Sequence, residues 1–219
     1  MTPFLLWQLA DSAFPTGGFA HAGGLEAARE LGAVATAEDL ECFALETLWA
    51  AGSFALPFVS AAHRGQDDFS ELDLRCDAFT PGHVANRASR AQGLALLRAA
   101  EAVVGGEAAD LAARVRRERL PGHLAPVHGL VLRAGGADLA TTQRLFLFFA
   151  LRGVLAAAVR LGLAGPLEAQ ALHAKLGRDA EDVARACAEL GLGDVAHANP
   201  ILDLVQSHQD RLYSRLFRS

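Results

Sequence analysis

Residues 138–161 of this chain read DLATTQRLFLFFALRGVLAAAVRL, and this stretch decides the class of fold. Its apolar residues occupy nearly all sides of a helix, which is typical of a helix at the centre of a helical bundle. The run is apolar enough to resemble a membrane span, but Arg144, Arg152 and Arg160 recur every eight residues along it. Because charges inside a membrane span are costly, we expect a buried central helix and no contact with a membrane.

The composition of the whole chain also favours helices. Its 219 residues are 52% hydrophobic and 21% charged, a balance that favours a globular fold over a disordered one. Ile201 is the only isoleucine and Tyr213 the only tyrosine, so residues that favour strands are scarce, while the helix formers Ala, Leu, Arg and Glu dominate. No internal repeat or long linker occurs. We therefore expect a single all-α domain over residues 1–219, a bundle of about ten helices.

The net charge and the cysteines limit the kinds of partner and the cellular compartment that we expect for this protein. The formal net charge is −5, so the basic excess typical of nucleic-acid binding is missing and we expect no nucleic acid partner. Cys42, Cys76 and Cys187 are widely spaced and form no C-x-x-C pair, which argues against a zinc site or a disulfide framework. The opening MTPFLLWQLADS also lacks the basic region of a secretory signal. These features predict a cytoplasmic protein.

Capping residues and helix breakers give the expected helix boundaries. Thr2 before Pro3 is suited to cap a short first helix, and Thr36 with Asp39 has the pattern of a capping box. Between residues 126 and 134 only a turn or two is expected, and residues 191–199 are the expected flexible joint before the tail. A last helix is expected from Asn199-Pro200 and carries Leu212. The other helices are expected at about residues 19–31, 36–58, 68–80, 82–104, 107–119, 138–161, 166–177 and 179–191.

A dense group of turn-forming residues lies in LLWQLADSAFPTGGFAHAGGLEAARE, at residues 5–30. Its prolines and glycines interrupt the apolar helical pattern, so a loop is expected between two helices. The glycines fit two explanations: they allow tight turns and close helix packing, or they shape a binding site. The residues concerned are Pro15, Gly17, Gly18, Gly23 and Gly24, with the polar residues Gln8, Asp11, His21 and Glu26 around them.

A second segment, NRASRAQGLALL at residues 86–97, carries a glycine inside an expected helix. Glycine costs about 1 kcal/mol there relative to alanine unless close packing requires it, so another element is expected to pack against Gly93. Arg87 and Arg90 indicate either a solvated helix face or a surface for a partner.

The tail SHQDRLYSRLFRS, at residues 207–219, has more arginines than acids and contains the only tyrosine. Tyrosine and arginine favour interface hot spots, so docking of the tail on a partner or on its own domain is as strongly indicated as a frayed end, and we expect it to order against a partner. Within it, Leu212 and Leu216 are expected to face the body of the protein.

Familiar catalytic motifs are missing from the sequence. There is no G-x-x-x-x-G-K-[ST], and Lys175 is the only lysine, so a P-loop cannot form and no nucleotide hydrolysis is expected. Neither H-E-x-x-H nor G-x-S-x-G occurs. His21 with Glu26, or His123 with His128, could be brought together by folding to hold a metal ion, but such spacing is weakly specific.

Four segments together resemble the urease accessory protein UreF: residues 5–26, RASRAQG at 87–93, LRGVLAAAVRLGLAGPLEAQ at 151–170 and ILDLVQSHQDRLYSRLF at 201–217. The resemblance implies an all-α, non-enzymatic chaperone and a homodimer. Such a chaperone joins UreD (also called UreH) and the GTPase UreG on apo-urease, and modulates GTP hydrolysis by UreG. Nickel would be handled by the assembled complex, with no cofactor bound tightly by this chain.

Carried over by position, the resemblance assigns partner binding to the motif, to one helix and to a C-terminal partner-binding tail at about residues 200–219. Two other hypotheses stay open at this point: an all-α metal-dependent enzyme that uses His21 and Glu26, and a helical scaffold unrelated to nickel. The residues assigned to partners are Gln8, Asp11, Pro15, Gly17, Phe19, His21, Gly24 and Glu26 in the motif, Arg90 and Gln92 in the helix, and His208, Asp210, Arg211, Tyr213, Ser214 and Arg215 in the tail.

Overall fold

The structure, a computed structural model, describes residues 1–219 and contains helices but no strands. With α3 and α4 joined, the helices number ten, so the expected all-α bundle is confirmed. They are α1 (Pro3–Ala10), α2 (Leu25–Glu30), α3 (Ala37–Ala50), α4 (Leu56–Arg64), α5 (Phe69–Ala78), α6 (His83–Val103), α7 (Gly106–Glu118), α8 (Leu124–Ala134), α9 (Leu139–Leu161), α10 (Pro166–Cys187) and α11 (Pro200–Ser207).

The long apolar helix α9 lies at the centre, as its sequence predicts. It packs against α10, α3, α4, α8 and α2. A larger apolar core surrounds α3, α4, α9 and α10, and a smaller one lies between α6, α7 and α8. Leu147, Leu151 and Ala158 of α9 are almost completely buried in the larger core. The burial of α9 explains why its apolar residues occupy nearly all of its sides.

Helices α3 and α4 form one continuous helix through a single π-helical segment, Ala51–Ala55. Pro57 has no N–H, so the carbonyl of Ser53 loses its usual helical partner. The N–H of Ala196 donates to that carbonyl at 3.3 Å and satisfies it.

By length and composition the stretch Ala37–Arg64 could cross a membrane, but half of its most apolar part is buried inside the protein, as in the core helix of a bundle.

The expected helix caps are confirmed. The side chain of Thr2 accepts the N–H of Leu5 at the start of α1, and Thr36 with Asp39 forms the complete capping box of α3. Asp68 caps α5 and Asp138 caps α9.

Several expected boundaries were wrong, and each has a physical reason. The helix predicted at residues 19–31 begins only at Leu25, because Gly23 and Gly24 have positive φ angles. Residues 124–134 form a full helix instead of a turn or two, since Pro126 lies in the first turn, where no helical N–H partner is needed. The predicted break between residues 177 and 179 is absent because buried Leu176 and Val183 hold α10 against the core on both sides of Gly177.

Residues 191–199, the expected flexible joint, are attached to the body. His197 lies 2.9 Å from the carbonyl oxygen of Phe79, and its ring packs on Phe54. Asn199 donates to Glu46 of α3 at 2.8 Å. After α11 the chain makes one 3₁₀ turn, His208–Arg211, so Leu212 lies beyond the helix that was predicted to carry it.

Candidate partner-binding site

The glycine-rich motif forms the connection between α1 and α2, with a single 3₁₀ turn at Gly18–Ala20. Gly17 and Gly24 have φ angles of +72° and +90°, a backbone region that favours glycine. At Gly24 the backbone also approaches α11 closely: a Cβ there would lie 3.1 Å from the Cβ of Gln206. The first explanation offered for these glycines is confirmed at these two positions, because they allow tight turns and a close contact between the motif and α11.

Glu26 is the residue that fastens the tail to the motif. Its side chain is 5% exposed, and its carboxylate accepts hydrogen bonds from the backbone N–H groups of Leu216 at 2.6 Å and Phe217 at 3.1 Å. The amide Nε2 of Gln209 donates to it as well, at 2.5 Å. A buried carboxylate needs such donors, because leaving it unpaired would cost several kcal/mol, on the order of 3–5.

The last residues of the tail pair with the motif through the backbone as well. The N–H of Arg218 donates to the carbonyl of Ala20 at 2.9 Å, and the N–H of Ala22 donates to that of Ser219 at 2.6 Å. Nδ1 of His21 lies 2.7 Å from the hydroxyl of Ser219. Burial, with the nearby charges of Arg218 and Arg87, lowers the pKa of His21 below that of a solvated histidine.

Asp210 holds the tail to α6. Its carboxylate accepts two hydrogen bonds from the guanidinium of Arg87, at 2.9 and 3.0 Å, and one from Arg215 at 2.7 Å. His83 lies within 3.2 Å of the same carboxylate. The hydrogen bond from Arg87 is the main cause that lowers the pKa of Asp210.

The tail docks on its own domain but leaves part of its surface free. Phe217 is 4% exposed and joins the larger core, whereas Leu216 is 53% exposed. The prediction that Leu216 faces the body was therefore wrong, because its N–H binds Glu26 and directs the side chain outward. Arg211, Tyr213 and Ser214 are exposed, and Tyr213 lies entirely in solvent.

The motif, the tail and α6 together border an open cleft of about 550 Å³, with α9 as its floor. Pro15, Gly17, Phe19 and His21 line it from the motif, and Gln92 lines it from α6. Gln8 and Asp11 do not line the cleft: Gln8 lies exposed on α1, and Asp11 follows that helix and caps the N–H of Ala13. Arg90 is also exposed outside the cleft.

An arginine between two aromatic rings joins the floor to both walls of the cleft. The guanidinium carbon of Arg160 lies 4.0 Å from the ring centre of Phe19 and 4.1 Å from that of Phe217. One guanidinium N–H donates to the carbonyl of Phe19. Arg160 was not among the residues predicted for the site, since its only signal was the eight-residue spacing of arginines along α9.

Gly93 allows α6 to meet the segment before α8 at backbone distance. A Cβ at Gly93 would lie 2.1 Å from the carbonyl oxygen of Gly122, so the expectation that an element packs there is confirmed. Asp73 of α5 fixes that segment by accepting the N–H groups of Gly122 and His123, at 2.7 and 2.8 Å. Burial raises the pKa of Asp73.

Ser89, His123 and Asp77 form a polar chain beside this contact, in which His123 is buried and the other two residues are partly exposed. Nδ1 of His123 lies 3.1 Å from Oγ of Ser89, and its Nε2 lies 2.9 Å from Asp77. The order serine, histidine, aspartate resembles that of a hydrolytic triad. It differs because Oγ of Ser89 accepts the N–H of Leu124 and because His123 is completely buried. The hydrogen bonds of these three residues are satisfied within the fold, where they support the wall of the cleft.

The residues considered as metal ligands do not converge. No group of three or more His, Cys, Asp or Glu side chains is placed to hold a metal ion. Glu26 is occupied by the tail and His21 by Ser219, while His128 is buried between Phe146 and Phe149 with Nε2 3.1 Å from the carbonyl oxygen of Thr142.

The motif, the face of α6 and the tail of this helical protein together build one open surface. Comparison with known proteins gives its class, because the family model UreF matches residues 34–177. The chain belongs to the UreF family of urease accessory proteins, which gives it a role in urease maturation.

Similarity to individual relatives extends over nearly the whole chain. Urease accessory protein F of Oryza sativa subsp. indica is 38% identical over 216 residues, covering 96% of this chain and 83% of the relative. The protein of that name from Arabidopsis thaliana is 38% identical over 219 residues, covering 97% and 91%. Urease accessory protein UreF of Mycobacterium tuberculosis (strain ATCC 25618 / H37Rv) is 33% identical over 212 residues, covering 95% of each chain.

Proposed function

We propose that this chain is a nickel-insertion chaperone that joins UreD (UreH) and the GTPase UreG on apo-urease and modulates GTP hydrolysis by UreG. In this proposal the chain acts as a cytoplasmic homodimer and performs no catalysis itself. Nickel is cargo of the assembled complex, and no cofactor is bound tightly by this chain. Membership of the UreF family supports the proposal at the level of urease maturation.

The observation that carries the proposal is the joining of motif and tail through Glu26. Two sets of residues assigned to partner binding lie at opposite ends of the sequence, and the contacts of Glu26 with Gln209, Leu216 and Phe217 bring them to one surface. A contiguous surface is what a protein that bridges several partners needs. Arg211 and Tyr213 are the exposed anchors on that surface, of the residue types that dominate binding energy at interfaces.

The test is to replace Arg211 and Tyr213 with alanine and to measure co-purification with the UreD and UreG homologues, together with urease activation. Both side chains are exposed, so we expect the melting temperature to change little and assembly to weaken by tenfold or more. Leu167→Ala, at an apolar residue 86% exposed at the start of α10, is the matched control and is expected to assemble normally. Normal assembly and activation by the Arg211 and Tyr213 variant would refute the role of this surface.

A further inference from the structure

The floor of the cleft carries two positive charges that no carboxylate side chain contacts directly, although the charge of nearby Asp11 acts on Arg152. Arg152 and Arg160 both line the cleft from α9, and each donates to a backbone carbonyl, that of Ala10 and that of Phe19 respectively. No Asp or Glu side chain lines the cleft, although the chain as a whole has a net charge of −5. A guanidinium has five N–H donors, so most of the donors of both arginines remain available.

The surroundings of these arginines favour a carboxylate over water as their partner. Arg152 is half-buried beside the rings of Phe148 and Phe149, with its guanidinium carbon 5.4 and 4.7 Å from their centres. Burial lowers the pKa of Arg152, and the charge of Asp11 opposes this effect in part. In such a place a charge-assisted, bidentate pair with a carboxylate is strong.

The space between the two arginines is apolar and shallow. Gly153, Ala156 and Ala157 line it, and a Cβ at Gly153 would meet no atom within 4 Å. Small residues on the floor leave room for an apolar side chain of another molecule.

The spacing of the charges defines the shape of that molecule. Eight residues of α-helix rise about 12 Å and turn about 80° beyond two full turns, so the backbones of Arg152 and Arg160 lie about 12 Å apart along the side of α9 that lines the cleft. Four residues of extended chain cover about 13 Å, and side chains at alternate positions share one face. An extended segment with acidic residues at its first and fifth positions and an apolar residue at its third therefore matches both arginines and the floor between them.

We propose that the cleft is a docking site for an extended acidic segment of a protein partner, of the pattern acidic-x-apolar-x-acidic, whose carboxylates pair with Arg152 and Arg160. The inference adds the chemistry of the bound segment to the proposed function. This inference rests on the proposed function only in taking the bound molecule to be part of a protein. The peptide-binding assay contains no urease component, so a negative result in it is distinguishable from a negative result in the assembly experiment.

The experiment measures fluorescence polarisation of a labelled peptide, Ser-Glu-Ser-Leu-Ser-Glu-Ser, against the full chain at low ionic strength, where charge pairs are least screened. We expect this peptide to bind at least tenfold more tightly than the same peptide with glutamine at both acidic positions. Equal binding of the two peptides, or no binding of either, overturns the proposal. Inorganic phosphate that competes as well per mole as the acidic peptide would indicate a small-anion site and also overturns it.

Variants of α9 locate the effect. Arg152→Gln and Arg160→Gln are each expected to weaken binding of the acidic peptide at least tenfold. Arg144→Gln is the matched control, because Arg144 lies on the same helix but is paired with Glu181 outside the cleft. An equal loss in Arg144→Gln would show that long-range charge alone attracts the peptide and would overturn the proposal.

One further variant separates the effect of the charge of Arg160 from the effect of its stacking on Phe19 and Phe217. Arg160→Lys keeps the charge but loses bidentate pairing and stacking, so we expect it to bind the acidic peptide more weakly than the unaltered protein and more tightly than Arg160→Gln. A loss as large as that of Arg160→Gln would mean that ring stacking, not charge, forms the site, and would contradict the proposal.

Discussion

Glu26 and Leu216 are 190 positions apart in the chain and are joined by a hydrogen bond of 2.6 Å between a buried carboxylate and a backbone N–H. The same carboxylate also holds Phe217 and Gln209. The C-terminal residues of this protein are therefore part of the folded domain, and Glu26 and Asp210 are two acidic side chains that hold the tail in place.

Glu26→Gln is expected to release the tail. A neutral amide accepts weaker hydrogen bonds than a carboxylate, and its NH₂ group would face the N–H groups of Leu216 and Phe217. We expect a loss of about 2–4 kcal/mol in the free energy of holding the tail, measured as faster amide hydrogen exchange at residues 216 and 217. Glu30→Gln is the control, because Glu30 is exposed at the end of the same helix. Unchanged exchange at residues 216 and 217 in Glu26→Gln would contradict the fastening role.

Gly93→Ala is expected to destabilise the protein strongly. Its Cβ would lie 2.1 Å from the carbonyl oxygen of Gly122, so α6 or the segment before α8 must move. We expect a loss of about 2–3 kcal/mol in the free energy of unfolding by urea, as for an overpacked core. Gly177→Ala is the matched control, also in mid-helix but facing open space, and is expected to stabilise the protein by up to about 1 kcal/mol. Equal effects of the two substitutions would refute the close contact at Gly93.

His128 is expected to make the fold sensitive to acid. Burial lowers its pKa from 6.5 to about 4, so the folded protein holds the imidazole neutral. The unfolded chain takes up a proton as the pH falls below about 6.5, which favours unfolding until the pH reaches about 4. By linkage the loss of stability over this range is about 3 kcal/mol.

Urea unfolding at pH 7.5 and pH 5 checks this effect. We expect His128→Leu to be less stable at pH 7.5, through loss of the hydrogen bond to Thr142, but to show a smaller loss between the two pH values. His83→Gln, at a histidine with a side chain 64% exposed, is the control. We expect it to lose as much free energy of unfolding between the two pH values as the unaltered protein does. If His128→Leu loses as much stability between pH 7.5 and pH 5 as the unaltered protein, the acid sensitivity comes from other groups.

Self-association is expected to produce a particle of about twice the chain mass of 23.1 kDa in light scattering. Phe4 and Trp7 of α1 form an aromatic pair, 78% and 61% exposed, which provides apolar surface for a second copy. A monomer at tens of micromolar would count against the homodimer, unless addition of the UreD homologue produces it.

The sequence predicts helices well where caps and apolar periodicity coincide. Asp138 caps α9 and the apolar run continues to Leu161, so this helix was placed almost to the residue. The break predicted at Gly177 failed because glycine within a helix costs only about 1 kcal/mol, and buried Leu176 and Val183 on either side outweigh that cost. Local signals cannot show which packing contacts override them.

The site was predicted in part for the same reason. The motif and the tail each carry recognisable residue types, so the sequence singles out Glu26 and Tyr213, but no local signal shows that residues 190 positions apart are in contact. Arg160 and Phe217 were not assigned to the site, because only the folded chain brings Phe19, Arg160 and Phe217 together.

The π-helical segment Ala51–Ala55 has a consequence for which sequence changes this family tolerates. In it the N–H of Leu56 reaches back five residues to the carbonyl of Ala51, one residue more than in an α-helix. One extra residue rotates everything beyond it by about 100°, and this offset lets α3 face α10 while α4 faces α8. Loss of a single residue here would turn one of these faces away from its neighbour. A change in the length of this segment is therefore costly, and so is a side chain at Gly52, where a Cβ would lie 2.5 Å from Val183.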